Sequence, residues 1–181
     1  MLAGLLSADF CARADWLVHS SARQKGSPNE SVEHWKVELK NPDSTEQVTL
    51  HLAVFASRNA TLKVIDQPEA PRRDLADVMT ETKSLAGVNG GYFDPDDAPV
   101  GLLVCAGRVI SPLRKAKLLS GVLAVTAKQV DIVRATNFQR RDRITFALQC
   151  GPLLVERATP VAGLNDTRQA RRTFAAVDGN G

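Results

Sequence analysis

Gly87-Val88-Asn89-Gly90-Gly91-Tyr92-Phe93-Asp94-Pro95 decides how the rest of this chain reads, because a buried-strand pattern runs into two glycines flanked by an amide, an aromatic pair and a carboxylate. A glycine inside a strand loses side-chain packing and costs backbone entropy, so an adjacent pair marks a bulge, a bend, or a close approach of a ligand to the main chain. Two readings follow. The pair with Asn89 and Asp94 forms a pocket floor, or the segment is a Gly-rich turn with a locally bonded Asn.

Upstream, the residues between Arg72 and Ser84 place Leu75, Ala76, Val78 and Met79 at helical spacing, with Asp74 at the positive end of the helix dipole. Before that, Trp35, Val37 and Leu39 alternate with polar residues, as do Val48, Leu50, Leu52 and Val54. With the turn residues Asn41-Pro42-Asp43-Ser44 between them, these predict two antiparallel strands. Leu62-Lys63-Val64-Ile65 is a further apolar run. Residues 20–31, rich in Ser, Gly, Pro, Asn and charge, read as a flexible lead-in. Downstream, short apolar runs at residues 100–104, 108–110, 121–126, 129–133, 144–148 and 152–155 predict strands broken by turns. The expected class is α+β, a single domain over residues 32–181 with a mixed, mainly antiparallel sheet and few helices. Residues 1–31 are left as a signal remnant and lead-in.

Composition narrows the function. The 181 residues are 44% hydrophobic, enough for one core, and 23 basic residues face 20 acidic ones for a net charge of +3. Apart from short clusters such as Arg140-Arg141-Asp142-Arg143 and Arg171-Arg172 the charges are scattered, and aromatic residues make up 5%. Neither a nucleic-acid surface nor a stacking platform follows. Cys11, Cys105 and Cys150 are far apart, and His19, His34 and His51 carry no carboxylate-histidine motif, so no metal site is expected. No segment has transmembrane length. The apolar start, with Ala12-Arg13-Ala14 before Asp15, reads either as an ordinary N-terminal segment or as a signal-peptide tail, and the second predicts a secreted or periplasmic location. Sequons beginning at Asn29, Asn59 and Asn165 matter only in a secreted eukaryotic setting.

No Gly-x-Ser-x-Gly elbow, P-loop, dinucleotide fingerprint or His-Glu-x-x-His helix is present. What remains are polar residues set in apolar, Gly-rich segments: Asn89 and Asp94, Gln149-Cys150-Gly151-Pro152, and Arg171-Arg172-Thr173. Amide, carboxylate and guanidinium together suit an oxygen-rich anionic ligand. Each has a rival reading. Asp94-Pro95-Asp96-Asp97 also fits an acid-decorated turn or an oxygen-ligand metal site, Gln149 a residue that satisfies strand-edge backbone, and Cys150 a small buried residue rather than a nucleophile.

The order of Asn89-Gly90-Gly91-Tyr92-Phe93-Asp94, Gly101-Leu102-Leu103-Val104, Gly121-Val122-Leu123, Gln149-Cys150-Gly151-Pro152 and Arg172-Thr173 resembles the phosphodiester glycosidase family over residues 50–181. The resemblance implies hydrolysis of a sugar-1-phosphodiester in a glycan or cell-envelope polymer, without a cofactor. Asp94 is then the catalytic carboxylate, with Asp96 and Asp97 as weaker candidates. Asn89 and Gln149 contact sugar or phosphate oxygens, Gly90, Gly91 and Gly151 admit backbone amides, and Arg172 offsets phosphate charge. Family members continue past the Arg-Thr strand into an Asp-Gly-Gly-rich motif. This chain stops at Asp178-Gly179-Asn180-Gly181, so a truncated member is expected, a hydrolase if the missing C-terminal part is present. The alternatives are a non-catalytic carbohydrate-phosphate binding module and a structural envelope domain.

Overall fold

The structure, a computed structural model, describes residues 16–25, 31–69, 71–139, 143–164 and 170–178. Cys11, the Ala12-Arg13-Ala14 stretch, the sequon residues Asn29 and Asn165, and Arg140 to Asp142 lie outside the described residues. The chain divides into two units, Met1–Val54 and Phe55–Gly181.

The first unit carries a three-stranded sheet in the order β1 (Leu17–Lys25), β2 (Val32–Lys40), β3 (Gln47–Phe55), the last strand running one residue past the boundary. β2 and β3 are the strands expected from alternation, and the turn between them is closed by a bond from Asn41 N to Glu46 O of 3.1 Å. β1 departs from expectation: residues 17–25 form a strand where composition suggests a lead-in, so ordered structure begins before residue 32. Its polar side chains find cross-strand partners on β2, which composition alone does not reveal. Ser20 Oγ donates to Glu38 Oε2 at 2.8 Å, Arg23 pairs with Glu33, and the Arg23 guanidinium lies 5.5 Å from the Trp35 ring centroid.

In the second unit, α1 (Leu75–Thr82) is the predicted helix, with Asp74 at its N-cap position and Val78 buried. Lys83 ends it in the left-handed region at φ 52°, and Ser84 N closes the last turn on Met79 O at 2.9 Å. Short β4 (Tyr92–Phe93) and β5 (Pro99–Val100) pair as a ribbon. The main sheet then takes β6 (Leu103–Cys105), β7 (Arg108–Ser111), β8 (Gly121–Thr126), β9 (Val130–Arg134) and β10 (Ile144–Cys150) in the order β7-β6-β10-β8-β9. β11 (Val155–Glu156) and β12 (Thr159–Pro160) form a second ribbon. Its strand β11 is joined to the sheet by Arg134 of β9, whose Nε and Nη2 both reach the Glu156 carboxylate at 2.6–3.1 Å.

The described residues are therefore mainly antiparallel β with one α-helix, and the α+β label fits only loosely. Several expected strands are absent or cut short, among them residues 152–155, of which only Val155 enters a strand. Residues 85–91 are irregular and largely exposed, because Gly87, Gly90 and Gly91 do not sustain a ladder. Residues 173–177 are likewise irregular and exposed.

The core lies on one face of the main sheet, where Leu102, Val104, Val122, Ala124, Ile144 and Ala147 pack together with Val109, Val133 and Phe138 against them. Ala147 pairs with Ala124 on one side and Val104 on the other, which places β10 at the centre of the sheet. Its next residue, Leu148, turns to the opposite face by strand alternation. There a Cβ on Gly90 would fall 2.6 Å from Leu148 Cδ2, and one on Gly91 3.0 Å from Leu148 Cδ1. The glycine pair thus lets residues 90–91 lie directly on the sheet. Gly87 similarly packs against Met79 and Leu75 of α1.

Gly151 is the tightest position, since a Cβ there would sit 2.1 Å from Leu118 O. We expect Gly151→Ala to destabilise the fold by about 3 kcal/mol or more, because backbone must move to admit it. Gly107→Ala, where nothing lies within 4 Å of the added Cβ and only φ +78° is at issue, should cost about 1 kcal/mol. Urea unfolding of the two variants checks the ordering.

Candidate functional site

The loop after β7 must reverse over the end of the core before β8 begins, and it does so without regular structure. Its backbone groups need partners. Gln149, 1% exposed near the end of β10, supplies them. Its Oε1 accepts from Leu102 N at 2.9 Å and Arg114 N at 3.0 Å, while Nε2 donates to Arg114 O at 2.7 Å and Leu119 O at 2.8 Å. A primary amide has two donor hydrogens and two acceptor lone pairs, and all four are used. Gln149 therefore has nothing left to offer a sugar hydroxyl or phosphate oxygen. The substrate-contact role expected for it gives way to the strand-edge role that the sequence left open. Gly101, at φ +98°, stands aside for this amide, because a Cβ there would fall 2.9 Å from Gln149 Oε1.

Gly151 has a comparable structural duty through its approach to Leu118, and Leu153 N is fixed by Ser120 Oγ at 2.8 Å. The Gly151 carbonyl accepts a bond of 2.6 Å from the Tyr92 hydroxyl. That bond joins the Asn89-to-Asp94 segment to the Gln149-to-Pro152 segment across 59 residues of chain. Tyr92 was not among the expected site residues. The only sequence signal for it was its place between the glycine pair and Asp94.

Asp94 is part-buried and organises the connection between β4 and β5. Its Oδ1 accepts from Asp96 N at 3.0 Å and Ala98 N at 2.9 Å, and its backbone N–H and C=O bond to Ala98 O and Asp97 N. This is the acid-decorated turn foreseen as the rival reading, and it leaves Asp94 Oδ2 with no hydrogen bond among the described residues. The turn orients the carboxylate rather than consuming it. Asp97 sits at φ +61°, its carbonyl accepts from Arg72 Nη2 at 2.8 Å, and its carboxylate pairs with Arg72 Nε at 3.7 Å. Asp96 is exposed.

Asn89 is exposed and its amide makes no hydrogen bond among the described residues. Gly90 and Gly91 are seated on Leu148, so close packing against a side chain already accounts for them. Arg172 is exposed and makes only a 3.4 Å contact to the neighbouring Arg171 carbonyl. No bond brings it to Asp94 or Asn89 among the described residues. Cys150 is part-buried, and burial pushes its thiol above the ordinary range, which opposes thiolate chemistry. Among the described residues no group of three or more His, Cys, Asp or Glu side chains is placed to hold a metal ion. No described helix is long and apolar enough to cross a membrane.

A family model described as phosphodiester glycosidase matches residues 82–181, a span that contains every site residue considered above except Arg72. The uncharacterized protein YigE of Escherichia coli strain K12 is 34% identical over 89 residues, which is 45% of this chain and 35% of that protein. The chain thus spans about a third of this relative's length. No solved structure matches.

Because Gln149 ties one loop to the sheet through four bonds, Gln149→Leu strands several buried backbone groups at once. We expect a loss of about 3 kcal/mol or more. Hydrogen exchange should locate the damage, with protection lost first at the amides of Leu102 and Arg114.

Proposed function

The chain belongs to the phosphodiester glycosidase family, and on that premise we propose that it forms the Asp94 side of a site that hydrolyses a sugar-1-phosphodiester. The observation that carries the reading is the Tyr92 hydroxyl bond to the Gly151 carbonyl, 2.6 Å long, which makes one surface of two segments distant in sequence. Asp94 follows two residues after Tyr92, its Oδ1 fixed by two backbone N–H groups and its Oδ2 open. A fixed carboxylate with one open oxygen suits a base or nucleophile at an anomeric carbon.

In this reading Asp94 Oδ2 takes a proton from water as the water oxygen bonds to the anomeric carbon. The bond from that carbon to the phosphate oxygen breaks, and its electron pair leaves on the phosphate. A phosphate oxygen is a better leaving group than a sugar hydroxyl, so the reaction depends less on a second carboxyl acting as acid. Asn89 would bind a sugar hydroxyl, and Arg172 would neutralise charge on the phosphate. A glycan or cell-envelope polymer is the proposed source of the diester, encountered outside the cytoplasm.

One observation favours the alternative of a carbohydrate-phosphate binding module. The nearest second carboxylate in sequence on the same loop that is held in place, Asp97, is already paired with Arg72 at 3.7 Å.

Asp94→Asn keeps an oxygen acceptor for both turn N–H groups but cannot act as base. It should abolish release of sugar from aryl or nucleotide sugar-1-phosphodiesters, by a factor of about 1,000 or more, with the unfolding midpoint close to wild type. Near-normal turnover in that variant would remove Asp94 from the chemistry. Asp94→Ala loses the turn bonds as well and should also lower stability, by about 1–3 kcal/mol. Arg172→Ala should weaken binding of the phosphate-bearing substrate more than that of the free sugar, and equal losses in a titration of both would make Arg172 structural.

A further inference from the structure

One residue that Gln149 clamps, Arg114, opens a segment that the family reading does not use, Arg114-Lys115-Ala116-Lys117, and another, Leu119, lies just past its end. Three cations fall within four residues, all exposed, and none of their side chains makes a hydrogen bond or ion pair among the described residues. An unpaired basic run on a mobile loop is usually only a solvated face. This one is fixed at both ends. Gln149 holds the N–H and C=O of Arg114 at 3.0 and 2.7 Å, and Leu119, buried, has its carbonyl held at 2.8 Å.

The far end of the loop also meets the candidate site. Leu118 O would lie 2.1 Å from a Cβ on Gly151, and the Gly151 carbonyl is the acceptor of the Tyr92 hydroxyl. The chain of contacts runs from the basic loop through Gly151 to Tyr92, two residues from Asp94. Like charges held close together repel one another, and a multivalent anion relieves that repulsion while gaining charge-assisted hydrogen bonds.

We propose that the loop of Arg114, Lys115 and Lys117 is the phosphate-binding wall of the site, taking the phosphate of a sugar phosphodiester and holding the phosphomonoester after cleavage. The inference rests on the hydrolase reading for the identity of the anion, and on the loop geometry for its place. A diester carries one negative charge, whereas a monoester carries about −1.5 to −2 at pH 7. Three cations therefore favour the released phosphomonoester over the substrate diester, and product release through this loop becomes slow relative to loss of the neutral sugar.

The test is binding of inorganic phosphate to the full chain by calorimetry, beside turnover of an aryl sugar-1-phosphodiester. The triple variant Arg114→Gln, Lys115→Gln, Lys117→Gln keeps the Gln149 bonds, since those involve only the backbone of Arg114. It should weaken phosphate binding by about tenfold or more, leave free-sugar binding and the unfolding midpoint unchanged, and raise KM for the diester. The charge-conserving variant Arg114→Lys, Lys115→Arg, Lys117→Arg should restore most of the phosphate affinity. If the wild type turns over the diester while the neutral triple variant keeps its phosphate affinity and KM, the loop assignment is overturned and the hydrolase reading stands. If the wild type binds phosphate through this loop and releases no sugar, the loop assignment stands and the hydrolase reading fails. A wild-type protein that binds no phosphate overturns the loop assignment outright.

Discussion

The buried amide of Gln149 is the constraint on which the second unit depends. Between β7 and β8 the backbone must cross the end of the core without a ladder to satisfy it, and each buried N–H or C=O left without a partner costs about 1–3 kcal/mol. One side chain meets four such groups, on Leu102, Arg114 and Leu119. An apolar residue of equal volume would pack against Val122 and leave all four unmet. Two neighbouring positions follow from the same arrangement. Gly101 lacks a Cβ so that Oε1 can reach Leu102 N, and Gly151 lacks one so that the next turn of chain can pass Leu118 O.

Strand alternation extends this constraint to the other face of the sheet. Gln149 and Ala147 face the core, and Leu148 between them faces away, where it receives Gly90 and Gly91. The Asn-Gly-Gly-Tyr segment is thereby positioned by the residue adjacent to the one that positions the basic loop. The Tyr92 bond to Gly151 closes the circuit between them. Segments that look independent along the sequence are joined around the end of β10. A substitution at residue 148 or 149 therefore reaches both segments.

Much of this was legible from pattern, and what was not has identifiable physical causes. The helix at Leu75–Thr82 and the strands β2, β3, β7, β8, β9 and β10 were visible because their apolar residues repeat with the right period. β1 was missed because polar cross-strand pairs, rather than burial, hold it against β2. Residues 85–91 were read as strand because Leu85 and Val88 supply apolar character, yet both are exposed and the glycines beside them give up ladder formation for contact with α1 and Leu148. For the candidate site, the sequence singled out Asn89-to-Asp94 and Gln149-to-Pro152, which the structure joins through the Tyr92 hydroxyl and the Gly151 carbonyl, but not the division of labour within them. A buried Gln that bonds a ligand and one that bonds backbone have the same letter, and only the spatial position of Arg114 and Leu119 separates the two. Tyr92 was overlooked for the converse reason, since its partner is a carbonyl that carries no sequence signal.

Asp94 shows why turn and site need not be rival descriptions. A carboxylate on a free loop would spend much of its time in unproductive rotamers, and ordering it at the moment of reaction would add to the barrier. Two backbone N–H bonds to Oδ1 impose that order in advance and leave Oδ2 as the only oxygen available for other work. The identity of the leaving group then decides how much further help is required. A sugar hydroxyl would call for a second carboxyl to protonate it, and Asp97 is engaged with Arg72. A phosphate can depart with its charge neutralised by cations alone. In the proposed reading, one oriented carboxylate is therefore better matched to a glycosyl phosphate than to an ordinary glycoside.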